Sequence, residues 1–280
     1  MRELHVNEIR AAVKELFLSA CVSIPEDVFR ALRDAQSKEK SPIGQAALAQ
    51  IIENDEIAAR ERIPMCQDTG MAVVCAEIGQ DVHLVGGTLE SAVNAGVKRG
   101  YEEGYLRKSV VYDPIRRVNT GDNTPAILHT EITGGDRVTI TVMPKGGGSE
   151  NMGAFHTLVP AEGAEGVRNF VLKTVRDDGG KSCPPVIVGV GVGGTMDKCA
   201  WIAKKALLRP IGSRSPNPFY AAMEEDLLEK INNLGIGPLG MGGRITALDV
   251  HIEYYPCHIT ALPVAVNLQC HSSRHASAEI

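Results

Sequence analysis

Between Pro184 and Val192 the chain carries nine residues without a polar side chain, Pro-Pro-Val-Ile-Val-Gly-Val-Gly-Val. Such a run, bounded by turn residues, reads as a continuous apolar strand over Pro185–Val192, and the spacing that follows predicts a helix over Thr195–Leu208. Two further apolar runs, Ile245–Tyr254 and Ile259–Leu268, read as strands of the same kind. Together the three can form an independent core in a chain of 280 residues.

The N-terminal third reads differently. Leu4–Ser19 has apolar residues near helical period, and Ser23-Ile-Pro-Glu26 has the form of a capping box with Ser23 as N-cap. Ser41-Pro42 opens a third helix that stops before Pro64. Met71–Ile78 and Val82–Val85 read as short strands, and Thr88 caps a helix to about Tyr105. Ala126–Thr133 and the alternating Val138–Val142, joined through Gly134-Gly-Asp136, predict a hairpin. A glycine loop over Lys145–Asn151 and helices over Gly163–Arg176 and Pro218–Leu234 complete the pattern. The expected class is mixed α/β: a helical region over 1–63, then mixed sheets with flanking helices, all in one domain over 1–280.

Hydrophobic residues at 44% and charged residues at 22% are ordinary for a soluble chain, whereas aromatics at 4% leave the interior to aliphatic packing. A net charge of −5 without charge blocks argues against nucleic acid or an anionic membrane as partner. No apolar run reaches membrane-spanning length, and seven cysteines without an export signal fit a reducing cytoplasm better than a disulfide framework.

Three of those cysteines stand beside structure-breaking residues: Cys66 in Pro64-Met-Cys-Gln-Asp-Thr-Gly70, Cys183 in Ser182-Cys-Pro-Pro185, and Cys270 in Leu268-Gln-Cys-His271. Three loop thiols with no close-spaced fourth suit an iron–sulfur cube with one iron left open as a Lewis acid. The alternative is three buried thiols acting as small hydrophobes, and spacing alone leaves both open. Cys21, Cys75 and Cys199 fall within regular elements and read as core, and Cys257 is the decoy nearest to a ligand pattern.

Gly189-Val-Gly-Val-Gly-Gly194 matches a dinucleotide fingerprint, but no acid-ended strand follows at Arg209–Pro216. The glycines are instead expected to admit another element close to the backbone. Lys145-Gly-Gly-Gly-Ser-Glu-Asn151 can present backbone N–H groups to an anion or simply end a strand. Asp68 can transfer a proton or close an Asx turn with Thr69-Gly70. Arg107-Lys108 and Arg116-Arg117 supply positive charge, and His258 lies near a loop leading to the strand that ends at Cys270.

Taken jointly, CQDTG at 66–70, KGGGSEN at 145–151, SCPPVIVGVGVGGT at 182–195, LRPIGSR at 208–214 and the late Gln269-Cys270 resemble the iron–sulfur-dependent class I fumarate hydratases across essentially the whole chain. That family includes L-tartrate dehydratase. The resemblance implies a [4Fe–4S] cluster on Cys66, Cys183 and Cys270, a catalytic Asp68, and substrate contacts from Gln67, Arg107, Gly147 and His258. Because the chain ends ten residues beyond Cys270, it also implies the α subunit of the two-subunit type. A separate β subunit with the swivelling domain would then supply further basic residues and a catalytic threonine, in an α2β2 assembly. The Lys145 loop and Leu106-Arg107-Lys108 are more similar to fumarase than to tartrate dehydratase, so the expected reaction is hydration of fumarate to L-malate. L-tartrate dehydration is the alternative, and a non-catalytic iron–sulfur sensor a third reading.

Overall fold

The computed structural model describes residues 1–280. The first part contains β1 (Arg2–His5), α1 (Val6–Val22), α2 (Glu26–Lys38), α3 (Pro42–Glu61), β2 (Met71–Gly79), β3 (Val82–Val85) and α4 (Leu89–Glu103). The middle contains β4 (Ile127–Thr133), β5 (Val138–Lys145), α5 (Gly147–Glu150), β6 (Ala154–Leu158) and α6 (Gly163–Asp178). Then come β7 (Val186–Gly193), α7 (Met196–Ala206), α8 (Pro218–Asn232), β8 (Ala247–Tyr255), β9 (Leu262–Gln269) and β10 (Ala276–Glu279). The class is mixed α/β, with N-terminal helices followed by two mixed sheets and flanking helices. No helix is long and apolar enough to cross a membrane.

The chain divides into two compact units. Unit 1 is Met1–Pro25, Asn54–Gly147 and Arg274–Ile280, and unit 2 is Glu26–Glu53 and Gly148–Ser273.

Unit 1 holds a four-stranded sheet in the order β10-β5-β2-β4 and a parallel pair β1-β3. Its core joins Ile9, Val13 and Phe17 of α1 and Val93, Val97 and Tyr101 of α4 to Val74, Ile140 and Val142 of the sheet. The expected hairpin is not formed, because β2 lies between β4 and β5, parallel to the first and antiparallel to the second. The link over 134–137 crosses the end of β2 at Gly79, where a Cβ would lie 2.3 Å from Gly135 O. The bare Gly79 backbone lets the link pass, donating N–H to Arg137 O at 2.8 Å. Leu4 belongs to a strand rather than to the first helix. The ring Nδ1 of His5 accepts from Asn7 N–H at 3.1 Å and starts α1 at Val6. Ser23 is likewise the C-cap of α1, its N–H donating to Ser19 O, and not the N-cap of α2.

Unit 2 holds the sheet β6-β9-β7-β8. The long apolar run is β7, buried at every position, which requires cover on both faces. One face packs Val188 and Val190 among residues of α6 and α8, including Val171, Val175 and Leu227. On the other, the glycines do what the sequence suggests: Cβ atoms at Gly189 and Gly191 would lie 2.1 and 2.2 Å from carbonyl oxygens of Ala203 and Cys199, so α7 rests directly on the strand. The strands β6 and β10 were not expected from the sequence, and the glycine loop after Lys145 contains the short turn α5.

Candidate active site

In unit 1, strand register gathers several sequence-marked residues at one sheet end. Met71 of β2 pairs with Lys145 of β5, so the loop entering β2 and the glycines leaving β5 are neighbours. β4 runs parallel to β2 with Ile127 opposite Val73, which brings the preceding Asn123 to the same end. β10 begins with Ala276 opposite Val142, which brings Arg274 there as well.

Asp68 is the centre of this end. Its Oδ1 accepts from Gly70 N–H at 3.0 Å, closing the Asx turn, and its Oδ2 accepts from Gly147 N–H at 2.8 Å. Gly70 has φ +76°, and a Cβ there would lie 2.6 Å from the Lys145 carbonyl, so the turn admits only glycine. The Tyr101 hydroxyl donates to Thr69 O at 2.7 Å, and Asn123 Nδ2 donates to Gly70 O at 3.2 Å. Thr69 Oγ1 donates to Arg107 O at 3.0 Å, and the Cys66 thiol lies 3.5 Å from Gln67 Oε1. Cys66, Gln67, Asp68, Arg107 and Gly147 thus form one connected group, with Gln67 and Arg107 exposed and Cys66 and Asp68 half-buried.

The sheet of unit 2 uses the same device. Ile187 at the start of β7 pairs with Gln269 at the end of β9, so Cys183 and Cys270 flank one sheet end, and His271 N–H donates to Cys183 O at 3.2 Å. Cys183 is exposed with φ 53°, and Cys270 is half-buried. His258 stands elsewhere. Its turn joins β8 to β9 at the opposite end of the sheet, since Tyr255 pairs with Gly193 at the far end of β7. There its Nδ1 is engaged by Thr260, within the turn.

The cysteines divide by environment, and none is in a disulfide. Burial pushes the Cys21 thiol up to about 11 and the Cys199 thiol up to about 12, which removes them as thiolate donors. Cys75 departs from the core reading: it is half-buried, in mid-strand opposite Thr141. Cys257 is exposed, its thiol donating to Ala261 O at 3.2 Å in the His258 turn. Cys66, Cys183 and Cys270 also lie at element ends, Cys183 exposed and the other two half-buried. No three His, Cys, Asp or Glu side chains are gathered to hold a single metal ion. Thiols are soft donors, the ligand type of iron–sulfur chemistry rather than of a carboxylate-bound cation.

Sequence reasoning missed Asn123, Tyr101 and Arg274. Asn123 is fully buried with φ 63°, and its Oδ1 accepts from Ser109 N–H and Val110 N–H at 2.6 and 3.2 Å. Its place after Gly121-Asp122 and before Thr124-Pro125 is the one available signal, since asparagine tolerates left-handed backbone in turns.

Residues 10–279 match the family model described as Fumarate hydratase (Fumerase). A Methanocaldococcus jannaschii protein named "Putative L(+)-tartrate dehydratase subunit alpha" is 46% identical over 279 residues, 98% of each chain. The L(+)-tartrate dehydratase subunit alpha of Escherichia coli K12 is 34% identical over 276 residues, 97% of this chain and 90% of its own. The protein of the same name from Shigella sonnei shows the same identity and coverage. Matched from end to end, and with its cysteine and aspartate loops set at the ends of antiparallel strand pairs, the chain belongs to the class I fumarate hydratase family.

Proposed function

We propose that this chain is the α subunit of a hydro-lyase acting on a four-carbon hydroxydicarboxylate, with L(+)-tartrate favoured over the fumarate–malate pair. The observation that carries the substrate is the end-to-end match to relatives named as L(+)-tartrate dehydratase α subunits at 46% and 34% identity. It outweighs the fumarase-like character of the Lys145 loop and Leu106-Arg107-Lys108, which are local motifs. Cys66, Cys183 and Cys270 would hold a [4Fe–4S] cluster, which when bound supplies an open Lewis-acidic iron for substrate oxygens.

The chain's own residues do the rest. Dehydration removes a hydroxyl and a neighbouring C–H proton, so a positioned proton acceptor is needed. Asp68 suits this: each oxygen accepts one backbone N–H and keeps a further lone pair. The exposed Gln67 amide and Arg107 guanidinium can bind substrate carboxylates, the latter with a bidentate fork. Gly147 N–H acts on the substrate through Asp68, which it already holds. The assignment of His258 rests on the resemblance alone. A second subunit, in line with the α designation of the relatives, would close over the dianion and add basic groups, in an α2β2 assembly.

The test is turnover by the cluster-loaded chain with its second subunit on L(+)-tartrate, L-malate and fumarate. Tartrate should be fastest and the α chain alone nearly inactive; faster malate or fumarate conversion would restore the fumarase reading. Serine at Cys66, Cys183 or Cys270 should strip bound iron, whereas Cys257→Ser should retain it.

A further inference from the structure

Arg274 is the largest of the fully buried side chains, 1% exposed. Its Nη1 donates to Asp68 O at 2.7 Å, and its Nε is buried without a partner. A guanidinium held dry and short of partners is expensive, and an apolar side chain of similar volume would serve packing better. What the arginine does that an apolar chain cannot is fix the Asp68 peptide.

The sheet explains how it gets there. The β10–β5 register sets residue 274 beside the end of β5, next to Gly146. A Cβ on Gly146 would lie 3.3 Å from both Arg274 Nη2 and Asp68 Oδ2, so the missing side chain leaves room for guanidinium and carboxylate together. Asp68 is therefore gripped at three points: its carbonyl by Arg274, and its two carboxylate oxygens by Gly70 N–H and Gly147 N–H.

We infer that Arg274 is a positioning residue that aims the Asp68 carboxylate by locking its peptide from behind. It does not touch substrate, and its effect on turnover rests on the proton-transfer role proposed for Asp68. Without it, Asp68 O loses its donor, the Asx turn relaxes, and the carboxylate drifts from the substrate carbon. Misplacement on this scale lowers turnover about ten- to a hundredfold.

The experiment uses the assembled, cluster-loaded enzyme and, separately, the α chain alone. Arg274→Met should lower kcat about ten- to a hundredfold with KM nearly constant, as for a group acting only on the chemical step. Arg274→Lys, which can still donate to Asp68 O, should recover part of kcat. In the α chain alone, amide exchange of Gly70 and Gly147 should quicken in Arg274→Met while β7 amides keep their protection. Unchanged kcat, a loss confined to KM, or unchanged exchange at both glycines would overturn the inference. If Arg274→Met does not fold, Gly146→Ala decides: its Cβ pushes guanidinium and carboxylate apart, so kcat should fall severalfold, and a wild-type kcat would refute the role. If the wild-type assembly dehydrates no hydroxydicarboxylate, the Asp68 reading fails, and the exchange arm alone decides whether Arg274 positions the turn.

Discussion

Each unit buries a carboxylate in its N-terminal segment and treats it in the opposite way. In unit 2, Glu39 follows α2 and is fully buried, yet its oxygens accept from the N–H groups of Lys40, Ser41, Arg244 and Ile245 at 2.7 to 2.9 Å. Burial pushes its pKa up, but the backbone donors outweigh it and hold the group below the usual carboxylate range. In unit 1, Asp55 lies on α3 with 4% exposure, and neither oxygen has a hydrogen-bond partner. The Asn54 amide offsets little, because it donates instead to Met65 O at 3.0 Å. Burial accordingly pushes Asp55 up to about 7. Burial alone therefore does not set the state of an acid; the count of donors aimed at it does.

The contrast is broken most directly at Asp55. Its folded pKa lies above the unfolded value, so the native state binds the extra proton between the two, and stability is full below about pH 4 and lost as pH rises through 7. The loss should total roughly 4 kcal/mol by pH 8, read by urea unfolding across pH. Asp55→Asn cannot ionise and should show a flat profile; a wild type equally flat would mean the site is wetter than the structure shows.

Glu39→Gln should move the other way. The amide keeps one acceptor and turns an NH2 toward N–H donors, costing about 2–3 kcal/mol at pH 7. Because the folded pKa of Glu39 is depressed, its contribution is present above the unfolded value and is lost as pH falls through the folded one. Wild type and variant should therefore converge in acid, whereas at Asp55 they diverge as pH rises. Convergence failing below pH 3 would show that shape rather than charge matters at Glu39.

The smallest expected effect tests the uncharged part of the Asp68 end. Tyr101→Phe removes the donor to Thr69 O while Asn123 still serves Gly70 O. It should cost about 1 kcal/mol with no dependence on pH between 5 and 8, measured in the same titration. A pH-dependent difference would mean that Tyr101 couples to a titrating neighbour.

Local pattern was enough to give the composition of the cores and the chemistry on offer. The unbroken apolar run became a strand covered on both faces with glycines under α7. The helices over 42–61, 89–103, 163–178 and 218–232 followed from period and caps, as with Thr88 Oγ1 accepting from Ser91 N–H at 3.2 Å. Residues flanking Cys66, Cys183 and Cys270 marked loop thiols, while helical spacing marked the buried Cys21 and Cys199. Which strands are neighbours was set by long-range pairing. An alternating pattern says which face of a strand is buried but not what lies beside it, so β4 and β5 read as a hairpin although β2 separates them. The same long-range register brings residues 68, 123, 147 and 274 to one sheet end. Nothing local distinguishes a buried Arg274 from a solvated arginine in a polar tail, because its burial is set by hydrogen bonds between strands far apart in the chain.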